Sequence, residues 1–579
     1  MNTTIDIHQV FADYFKPDII QALAYTCSKK LSEGHICIDL DDYNALNNTK
    51  ITAKELLSKS KWITEDIKTT NAFVLKNNKL YLHRYFSYET EIIKAIQGLI
   101  QEEDTNNKAE QLVQKLDVIK QIFNTDKDEE NWQFVAAINA FLHNFSIITG
   151  GPGTGKTTTI AKFLALAFNI NPNVKVALAA PTGKAAVRIK ESILQAKFQI
   201  EGIDEKTKLF FDQIESSTIH RLLGYKKGTH YFKHNTNNPL NYDIVIVDES
   251  SMIGVSLMAK LISAIPCHKQ IILLGDKNQL ASVEAGSIFG DICQTQKEIN
   301  HFSKESLNII NRLSSHIYTQ KLTESNLFSE HIVELQKSYR FSQNKGIGQI
   351  SYAVLNSELD IEKIEVFKND KEVKIFTDFK IKDFEAFYEA YQEYISERDI
   401  LLALKLFSNI RLLSPIHKGA YSVEYFNQQI ELYLKQKGFL FPKVGFYHNQ
   451  PIIITQNDYH LKLFNGDIGL IREDNNGVLQ AHFEAENGSL HTLSPNFINN
   501  YKTVFAMTIH KSQGSEFKKV AVVLPLQENL QILSKELLYT GLTRAKENLY
   551  IFAKESVLIK ASRQAVLRAS GINERIQSL

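Results

Sequence analysis

The chain has 579 residues, several times the usual domain length of about 100–200 residues, so we expect three or four domains. Hydrophobic residues make up 44% of the chain and charged residues 23%, which is typical of a globular protein, and the formal net charge is only +1. This composition excludes nucleic-acid binding through a positive charge spread over the whole protein. Any such binding must depend on local basic and polar loops.

Cysteine use and hydropathy indicate the cellular setting. The four cysteines, Cys27, Cys37, Cys267 and Cys293, lack the close spacing that is typical of zinc or iron–sulfur ligands. The N-terminal residues lack a basic region followed by an apolar one, and no apolar run is long enough to cross a bilayer. We therefore expect a cytoplasmic protein with buried free thiols and no membrane partner.

The first part of the chain carries no chemical motif. Residues 1–110 combine amphipathic helical patterns with one strand-like run, KLYLHRYF, and predict a mainly helical N-terminal domain. The polar, mostly acidic stretch 104–130 that follows predicts the first domain boundary.

The rest of the chain predicts two α/β domains with parallel sheets, over residues 111–335 and 336–579. Apolar strand candidates alternate with helical patterns in both, at FSIITG, VKVALAAP, YDIVIVDES, KQIILLGD, RLLSPIH, VFAMTIH, KKVAVVLP and ENLYIFAK. Between about residues 435 and 500 the pattern changes to short β-type runs broken by turn residues. That change predicts a small β-rich insertion in the second domain.

One motif predicts ATP binding. A complete G-x-x-x-x-G-K-T sequence follows an apolar strand and opens a helix, as a phosphate-binding loop requires, so a chance glycine-rich turn is disfavoured. Lys156 would bind the β- and γ-phosphates, and the Thr157 hydroxyl would ligate magnesium. The predicted nucleotide contacts are Gly150, Gly151, Pro152, Gly153, Thr154, Gly155, Lys156, Thr157 and Thr158.

Further polar residues at strand ends complete this chemistry. Asp248 would hold magnesium and Glu249 would deprotonate the attacking water, although an Asp-Glu pair after a strand can also simply cap a helix. Gln279 would report whether the γ-phosphate is present. Arg340 and Arg544 would supply positive charge for the transferring phosphoryl group. Outside this motif series, each arginine would be assigned to a surface or an ion pair.

Nine ordered motifs resemble the full series of the superfamily 1 DNA helicases that move 5′ to 3′. They are NWQFVAAINA, GGPGTGKTTT, APTGKAAVR, STIHRLLG, VDESSM, GDKNQLASVEAG, KSYRF, AMTIHKSQGSEF and YTGLTRAK. Within that series, GDKNQLASVEAG, KSYRFSQNKGIGQI, FNGDIGL and TIHKSQGSEF resemble the RecD family, the alpha subunits of the exonuclease V (RecBCD) complex.

The resemblance implies a fold and a set of partners. The two α/β domains would be RecA-like motor domains, and the insertion would be SH3-like. ATP and Mg²⁺ would drive movement along single-stranded DNA from double-strand DNA ends, in recombinational DNA repair. RecB- and RecC-type subunits would complete a heterotrimer, with residues 1–110 binding the RecC-type subunit.

The resemblance also assigns residue roles. Gln133 would read the adenine, with Gly514 and Glu516 at the same nucleotide, and Arg340 and Arg544 would reach that nucleotide when the two motor domains close. The implied DNA contacts are Pro181, Thr182, Gly183, Lys184, Thr218 and His220 in the first motor domain and Thr508, His510, Lys511 and Ser512 in the second. Taken singly, each of these ten residues would instead be assigned to a helix cap or a solvated loop.

The segment 224–240, GYKKGTHYFKHNTNNPL, predicts a projecting β-hairpin from its turn residues and resembles a strand-separating pin.

Two other functions stay open at this point. A stand-alone helicase of the same family would need no partner subunits, and a degenerate motor would bind nucleotide without hydrolysing it. A nuclease is disfavoured, because no cluster of Asp, Glu and Lys suits two-metal cleavage of a phosphodiester outside the ATP motifs.

Overall fold

The computed structural model describes residues 5–577, apart from residues 17, 126–128, 227, 230, 297, 323–325, 327, 369, 379, 459, 486–487, 529 and 567. The chain forms two compact units. Unit 1 contains residues 1–277, 281–337 and 567–579, and unit 2 contains residues 278–280 and 338–566. Of the helices in the described ranges, none is both long enough and apolar enough to cross a membrane.

The N-terminal part of unit 1 combines helices with a small sheet, whose strand order is β1-β4-β3-β2. Its elements are α1 (Ile7–Ala12), α2 (Asp18–Ser32), β1 (Cys37–Asp39), α3 (Leu40–Asn47), α4 (Ala53–Lys59), β2 (Ile63–Thr64), β3 (Phe73–Lys76), β4 (Lys79–Leu82) and α5 (His83–Gln101). The apolar face of α5, with Ile92 and Ile96, is buried in the same core as the strands of the next sheet. This helix therefore packs with the parallel sheet, although it lies before the boundary predicted from the acidic stretch.

The larger part of unit 1 is a parallel sheet of order β10-β5-β9-β8-β6-β7 covered by helices. Its elements are α6 (Thr105–Gln114), α7 (Leu116–Phe123), α8 (Trp132–Leu142), β5 (Phe145–Gly150), α9 (Lys156–Ile170), β6 (Val176–Ala180), α10 (Gly183–Ala196), α11 (Glu205–Gln213), β7 (Glu215–Thr218), α12 (Ile219–Leu222), β8 (Ile244–Val247), α13 (Val255–Ser263), β9 (Gln270–Gly275), α14 (Ile288–Gln294), α15 (Lys304–Arg312) and β10 (Ile332–Leu335). The four central strands match the predicted apolar runs. The edge strand β7 was not predicted, because its sequence ESST is polar.

Unit 2 contains a second parallel sheet, of order β11-β20-β19-β12-β18, and an antiparallel sheet of order β16-β15-β14-β13-β17. Its elements are α16 (Gly346–Leu355), α17 (Ile361–Lys368), β11 (Val373–Phe376), α18 (Glu385–Tyr388), α19 (Gln392–Ser396), α20 (Ile400–Ser408), β12 (Ile410–Ser414), α21 (Val423–Gln436), β13 (Pro451–Ile454), β14 (Ile468–Glu473), β15 (Leu479–Glu484), β16 (Leu490–Leu493), β17 (Tyr501–Thr503), β18 (Ala506–Thr508), β19 (Phe517–Val523), α22 (Lys535–Leu542), β20 (Ala545–Phe552) and α23 (Glu555–Arg563). Two parallel-sheet domains with a β-rich insertion confirm the predicted fold. The antiparallel strands span residues 451–503, slightly later than the predicted 435–500.

The end of the chain corrects one predicted boundary. The last helix, α24 (Ile572–Gln577), belongs to unit 1, whereas the sequence placed residues 336–579 together in the second domain. Glu89 on α5 is fully buried and pairs with Arg575 at 3.1 Å, and the Gly571 N–H donates to the same carboxylate. A buried carboxylate requires such partners, and no local pattern reveals a pairing over hundreds of residues.

A buried carboxylate links three segments of unit 1. Glu103, which follows α5, accepts a hydrogen bond from the His143 ring at 2.8 Å and lies 3.3 Å from the His331 ring. It also accepts from the Asn144 N–H at 2.8 Å. Burial would raise the pKa of Glu103, but the hydrogen bonds to both histidines outweigh it and hold the pKa well below its usual range. Burial and the charge of His331 lower the pKa of His143.

These two shifts predict a loss of stability in acid. Each folded-state pKa lies below its unfolded value, so each group stabilises the fold above its unfolded pKa, about 6.5 for His143 and 4.3 for Glu103, and this stability is lost as pH falls. The replacement Glu103→Gln is expected to lower the free energy of unfolding at pH 7 by about 2 kcal/mol and to flatten its fall towards pH 4. The thermal-unfolding midpoint of the full chain as a function of pH measures both effects. Glu102→Gln, at the exposed neighbouring position, is the matched control, and identical pH profiles for both variants would contradict the assignment.

Candidate nucleotide and DNA sites

The phosphate-binding loop joins β5 to α9 at the carboxyl edge of the unit 1 sheet. Gly153 and Gly155 have φ angles of +79° and +86°, which side chains other than hydrogen rarely allow. A Cβ atom at Gly155 would also collide with the side-chain amide of Gln133. The loop therefore requires glycine at these two positions for conformation and for close packing.

The loop and the first turn of α9 present positive groups. The Lys156 ammonium donates to the carbonyl oxygens of Gly150 and Gly151 at 2.6 and 3.2 Å. Helix α9 has no side-chain cap at its N-terminus, and Thr157 and Thr158 lie partly exposed in its first turn. Uncapped N–H groups, a lysine and the positive end of a 15-residue helix suit a phosphate group.

Hydrogen bonds from Thr154 and Gln133 hold the rest of the phosphate-binding loop. Thr154 is buried and its hydroxyl donates to the Gly151 carbonyl at 2.8 Å, while Pro152 is partly exposed. Gln133, on the first turn of α8, donates through its amide to the Thr154 carbonyl at 3.1 Å. The residue predicted to read the adenine therefore lies directly against the phosphate-binding loop.

Asp248 and Glu249 follow β8, at the same carboxyl edge of the sheet as the loop after β5. Strand β9 lies between these two strands, and all three run parallel. The Asp248 N–H donates to Ala179 O, and the Glu249 N–H donates to Asp248 Oδ1 at 2.8 Å. Burial and the charge of Glu249 raise the pKa of Asp248 to about 6, although the Lys156 charge opposes the rise. Glu249 has a φ of +51°, a left-handed conformation that turns the chain sharply after the strand.

Gln279 lies in a short segment, residues 278–280, that belongs to unit 2. The Leu280 N–H donates to the Thr540 hydroxyl at 2.9 Å, and the Gln513 amide donates to the Leu280 carbonyl at 2.7 Å. Gln279 itself is 8% exposed. The predicted γ-phosphate sensor thus follows a strand of unit 1 in sequence but is held by side chains of unit 2.

The two predicted arginines lie at the ends of one short network in unit 2. Arg340 pairs with Glu516 at 2.8 Å, and Lys546 pairs with the same carboxylate at 3.1 Å. Arg544 is 3% exposed, and its guanidinium donates to the carbonyl oxygens of Thr540 and Ser515 at 3.0 and 3.1 Å. Gly514, which precedes Ser515, has a φ of +69°. The structure therefore brings together four residues that the sequence placed at the nucleotide, Arg340, Gly514, Glu516 and Arg544.

The predicted DNA contacts of unit 1 follow two paired strands. Strands β6 and β7 are parallel neighbours, with Ala180 opposite Thr218, so the loop 181–184 and the residues after β7 lie at the same edge. Thr182 caps α10 and Thr218 caps α12, each through its hydroxyl oxygen. Lys184 and His220 are exposed. Pro181 and Gly183 are partly exposed, and a Cβ at Gly183 would meet no atom within 4 Å.

In unit 2 the predicted DNA contacts divide into two kinds. Thr508 is 3% exposed and accepts from the Lys511 N–H, and Ser512 is fully buried and donates to the Ile509 carbonyl at 2.7 Å. These two side chains shape the turn after β18 from within. Lys511 is exposed and His510 is partly exposed, so these two side chains present the turn to solvent.

Sequence reasoning missed two basic residues beside Lys511. Burial and the charge of Lys502 lower the pKa of Lys511, and burial and the charges of Lys511 and Lys502 lower the pKa of His417. Strands β12 and β18 are parallel neighbours with Ser414 opposite Thr508, which brings the loop containing His417 beside Lys511. Both strands were predicted, but their adjacency is a property of the sheet order.

The segment 224–240 turns back on itself through two isolated antiparallel bridges, Tyr225 to Phe232 and Asn235 to Asn238. Two positions of the predicted pin, 227 and 230, lie outside the described residues. Within the described positions of the segment, the bridges do not extend into continuous strands.

Two protein families match parts of the chain. The AAA domain family matches residues 133–285, which contain the phosphate-binding loop and the Asp248–Glu249 pair. The UvrD-like helicase C-terminal domain family matches residues 503–552, which contain Glu516 and Arg544. Together with the two parallel-sheet domains and the geometry of the phosphate-binding loop, these matches define a superfamily 1 helicase with ATPase activity.

Curated relatives give the family. The RecBCD enzyme subunit RecD of Haemophilus influenzae is 31% identical over 629 residues, covering 99% of this chain and 96% of the relative. The RecD subunit of Buchnera aphidicola from Acyrthosiphon pisum is 30% identical over 581 residues, covering 94% of each chain. The chain therefore belongs to the RecD family, and it is an ATP-dependent DNA helicase.

More distant proteins are also similar. The ATP-dependent RecD2 DNA helicase of Deinococcus radiodurans is 28% identical over 441 residues, covering 75% of this chain and 51% of the relative. A solved structure of Bacteroides Pif1 bound to single-stranded DNA has a TM-score of 0.41 at 16% identity, covering 78% of this chain and 97% of that chain.

Proposed function

We propose that this chain is the helicase subunit of a RecBCD-type complex, in which RecB- and RecC-type subunits complete a heterotrimer at double-strand DNA ends. One observation carries the proposal. Two RecD subunits align with 94% or more of this chain and of their own length, including the motif-poor N-terminal region. Within that proposal, residues 1–110 bind the RecC-type subunit, the nuclease activity of the complex resides in a partner, and the complex acts in recombinational DNA repair in the cytoplasm.

The stand-alone reading has less support. The RecD2 helicase aligns with 75% of this chain and only 51% of its own length, so much of that protein has no counterpart in the alignment. The degenerate-motor reading has no support from substitutions, because Lys156, Thr157, Asp248 and Glu249 are all present. The family and the motif residues therefore favour an active subunit.

The same site suits a nucleotide with magnesium. The Thr157 hydroxyl and the Asp248 carboxylate are hard oxygen donors of the kind that Mg²⁺ prefers. Burial and the negative charge of Glu249 raise the pKa of Asp248, and a divalent cation beside the two carboxylates would offset both effects. When bound, the ion would neutralise charge on the β- and γ-phosphates.

The chain's own groups would then have distinct tasks. We assign Lys156 to the phosphates, Gln133 to the adenine, and Glu249 to the proton of the attacking water. Arg340 and Arg544 would stabilise the charge of the transferring phosphoryl group. Gln279 would report the γ-phosphate to unit 2, because its neighbour Leu280 bonds to side chains of that unit.

The DNA contacts are assigned in the same way. The exposed groups Lys184, His220 and Lys511 would contact phosphates or bases directly, together with the partly exposed His510. Thr508 and Ser512 would act by holding the turn that presents Lys511, because both are buried. His417 and Lys502 join this set, because Lys502 adds to the lowering of the Lys511 pKa by burial, and both lysines lower the pKa of His417. A bound phosphate would oppose these shifts.

The experiment that tests the proposal combines assembly with activity. The chain is co-expressed with RecB- and RecC-type subunits from the same source, and we expect a stable complex of one copy of each. ATP hydrolysis is expected to rise with single-stranded DNA, and unwinding is expected from 5′ overhangs and not from 3′ overhangs. The control is the chain alone in the same assays. A chain that unwinds at its full rate alone, and that forms no complex at micromolar concentrations, would favour the stand-alone reading and overturn the proposal.

A further inference from the structure

A second group of exposed aromatic and basic side chains lies in unit 1, beside the predicted DNA contact His220. Tyr225 and Tyr231, in the segment after α12, are 55% and 67% exposed. Phe232, in the same segment, has its ring 5.6 Å from the ring of His220. Large exposed aromatic rings of this kind mark surfaces that bind another molecule.

A basic group of α13 contacts the same segment, and a basic group of α5 lies near it. The Lys260 ammonium, on the last turn of α13, lies 5.5 Å from the centre of the Phe232 ring. Burial and the nearby charge of Arg84 on α5 lower the pKa of Lys260. Glu91 and Glu284 oppose this shift, so two carboxylates as well as Arg84 lie near Lys260. Lys260 and Arg84 therefore place two positive charges near the aromatic rings of the segment.

The N-terminus of α5 adds to the positive potential. This 19-residue helix begins without a side-chain cap and without an acidic residue in its first turn. Arg84, in that first turn, is exposed and adds charge at the end of the helix that is already positive. Such an arrangement destabilises an isolated helix, and a bound phosphate would reverse the effect.

The tyrosines of α5 connect the basic groups to the exposed rings. Burial raises the pKa of Tyr88, Arg84 lowers it, and Glu91 and Tyr231 add to the rise, so Tyr88 lies near all three of these groups. The rings of Tyr85 and Tyr88 pack edge to face, with their centres 6.0 Å apart. We name Arg84, Tyr88, Tyr231 and Lys260 the α5 patch.

We propose that the α5 patch is a further contact for single-stranded DNA, with Arg84 and Lys260 on backbone phosphates and Tyr231 stacked on a base. The inference rests on the proposed DNA contacts of unit 1, which it extends from His220 to a helix of the N-terminal region. That region was otherwise assigned only to partner binding. Single-stranded DNA is favoured over duplex DNA because the exposed Tyr231 ring can stack on an unpaired base, whereas paired bases in a duplex are already stacked.

The test compares DNA length, salt and charge. Full-length Arg84→Ala/Lys260→Ala and Tyr231→Ala variants are measured by fluorescence anisotropy with oligothymidylates of about 8 and about 25 nucleotides. With the longer strand we expect affinity to fall about tenfold in each variant, and the salt dependence to weaken by about 1.4 in log–log slope for the double variant. Lys206→Ala/Lys208→Ala, on α11 of the same unit, is the control for removing two positive charges, and it should change neither quantity. Equal thermal-unfolding midpoints confirm that the variants fold.

The outcomes separate this inference from the function on which it rests. The shorter strand should stimulate ATP hydrolysis equally in the α5-patch variants and in the unmodified chain. If it does not stimulate hydrolysis by the unmodified chain, the proposed DNA contacts of the motor domains are wrong. Unchanged affinity and slope with the longer strand in the double variant would overturn the inference. Loss of duplex binding alone, or of RecC-type subunit binding alone, would also overturn it and would reassign the patch.

Discussion

Replacing Lys156 by glutamine is expected to reduce ATP turnover at least about 100-fold, with or without DNA. The substitution removes the positive charge that the loop offers to the phosphates. The two hydrogen bonds that Lys156 donates to Gly150 and Gly151 are partly buried and hold the loop, not the hydrophobic core, so we expect the fold to persist. Steady-state hydrolysis and a thermal-unfolding midpoint measure the two effects.

The matched control is Lys162→Gln, the same substitution two turns along α9 on a partly exposed lysine. It removes an equal charge from the same helix without touching the loop, and its turnover should stay close to that of the unmodified chain. Turnover by Lys156→Gln at the level of this control would remove Lys156 from the nucleotide site.

Glu249→Gln is expected to separate ATP binding from hydrolysis. The amide keeps the size of the side chain and can adopt the same left-handed backbone conformation, but it cannot accept a proton from water. Hydrolysis should fall by about 100- to 10,000-fold, the usual contribution of a general base. Binding of a fluorescent ATP analogue should be retained or strengthened, because the change also relieves the repulsion between Glu249 and Asp248.

Glu205→Gln, an exposed position on α11, controls for loss of a carboxylate in the same unit. If Glu249→Gln hydrolyses ATP within tenfold of this control, another group acts as the base. If the variant fails to bind nucleotide, Glu249 is needed to hold the phosphate-binding loop. Its assignment as a group that acts only as the general base is then wrong.

Local patterns were sufficient for much of the fold and for the phosphate-binding loop. Strands such as β5 and β9 are continuous apolar runs because both faces of a parallel sheet are buried, and that composition is visible in a single sequence. The loop could be predicted because its glycines, lysine and threonine act within eight consecutive residues, and strand and helix patterns flank them. Asp248 and Glu249 could be predicted in the same way, because both end an apolar strand.

Contacts between distant segments could only be decided by the tertiary structure. The pairing of Arg340 with Glu516, the burial of Thr508 and Ser512, and the proximity of His417 to Lys511 all depend on which strands are neighbours. The position of α24 in unit 1 likewise depends on Arg575 meeting Glu89.

The sequence by itself therefore predicted the chemistry of this protein, a nucleotide-hydrolysing motor with its phosphate-binding loop, proposed magnesium ligand and proposed base in order along the chain. The tertiary structure decided which side chains reach solvent, which are buried in turns, and how α5, α13 and the segment after α12 form one basic and aromatic surface. The physical reason is how far apart in the chain the interacting residues lie. Backbone conformation and hydrophobic periodicity depend on residues a few positions apart, whereas burial and charge proximity depend on sheet order and packing across the whole unit.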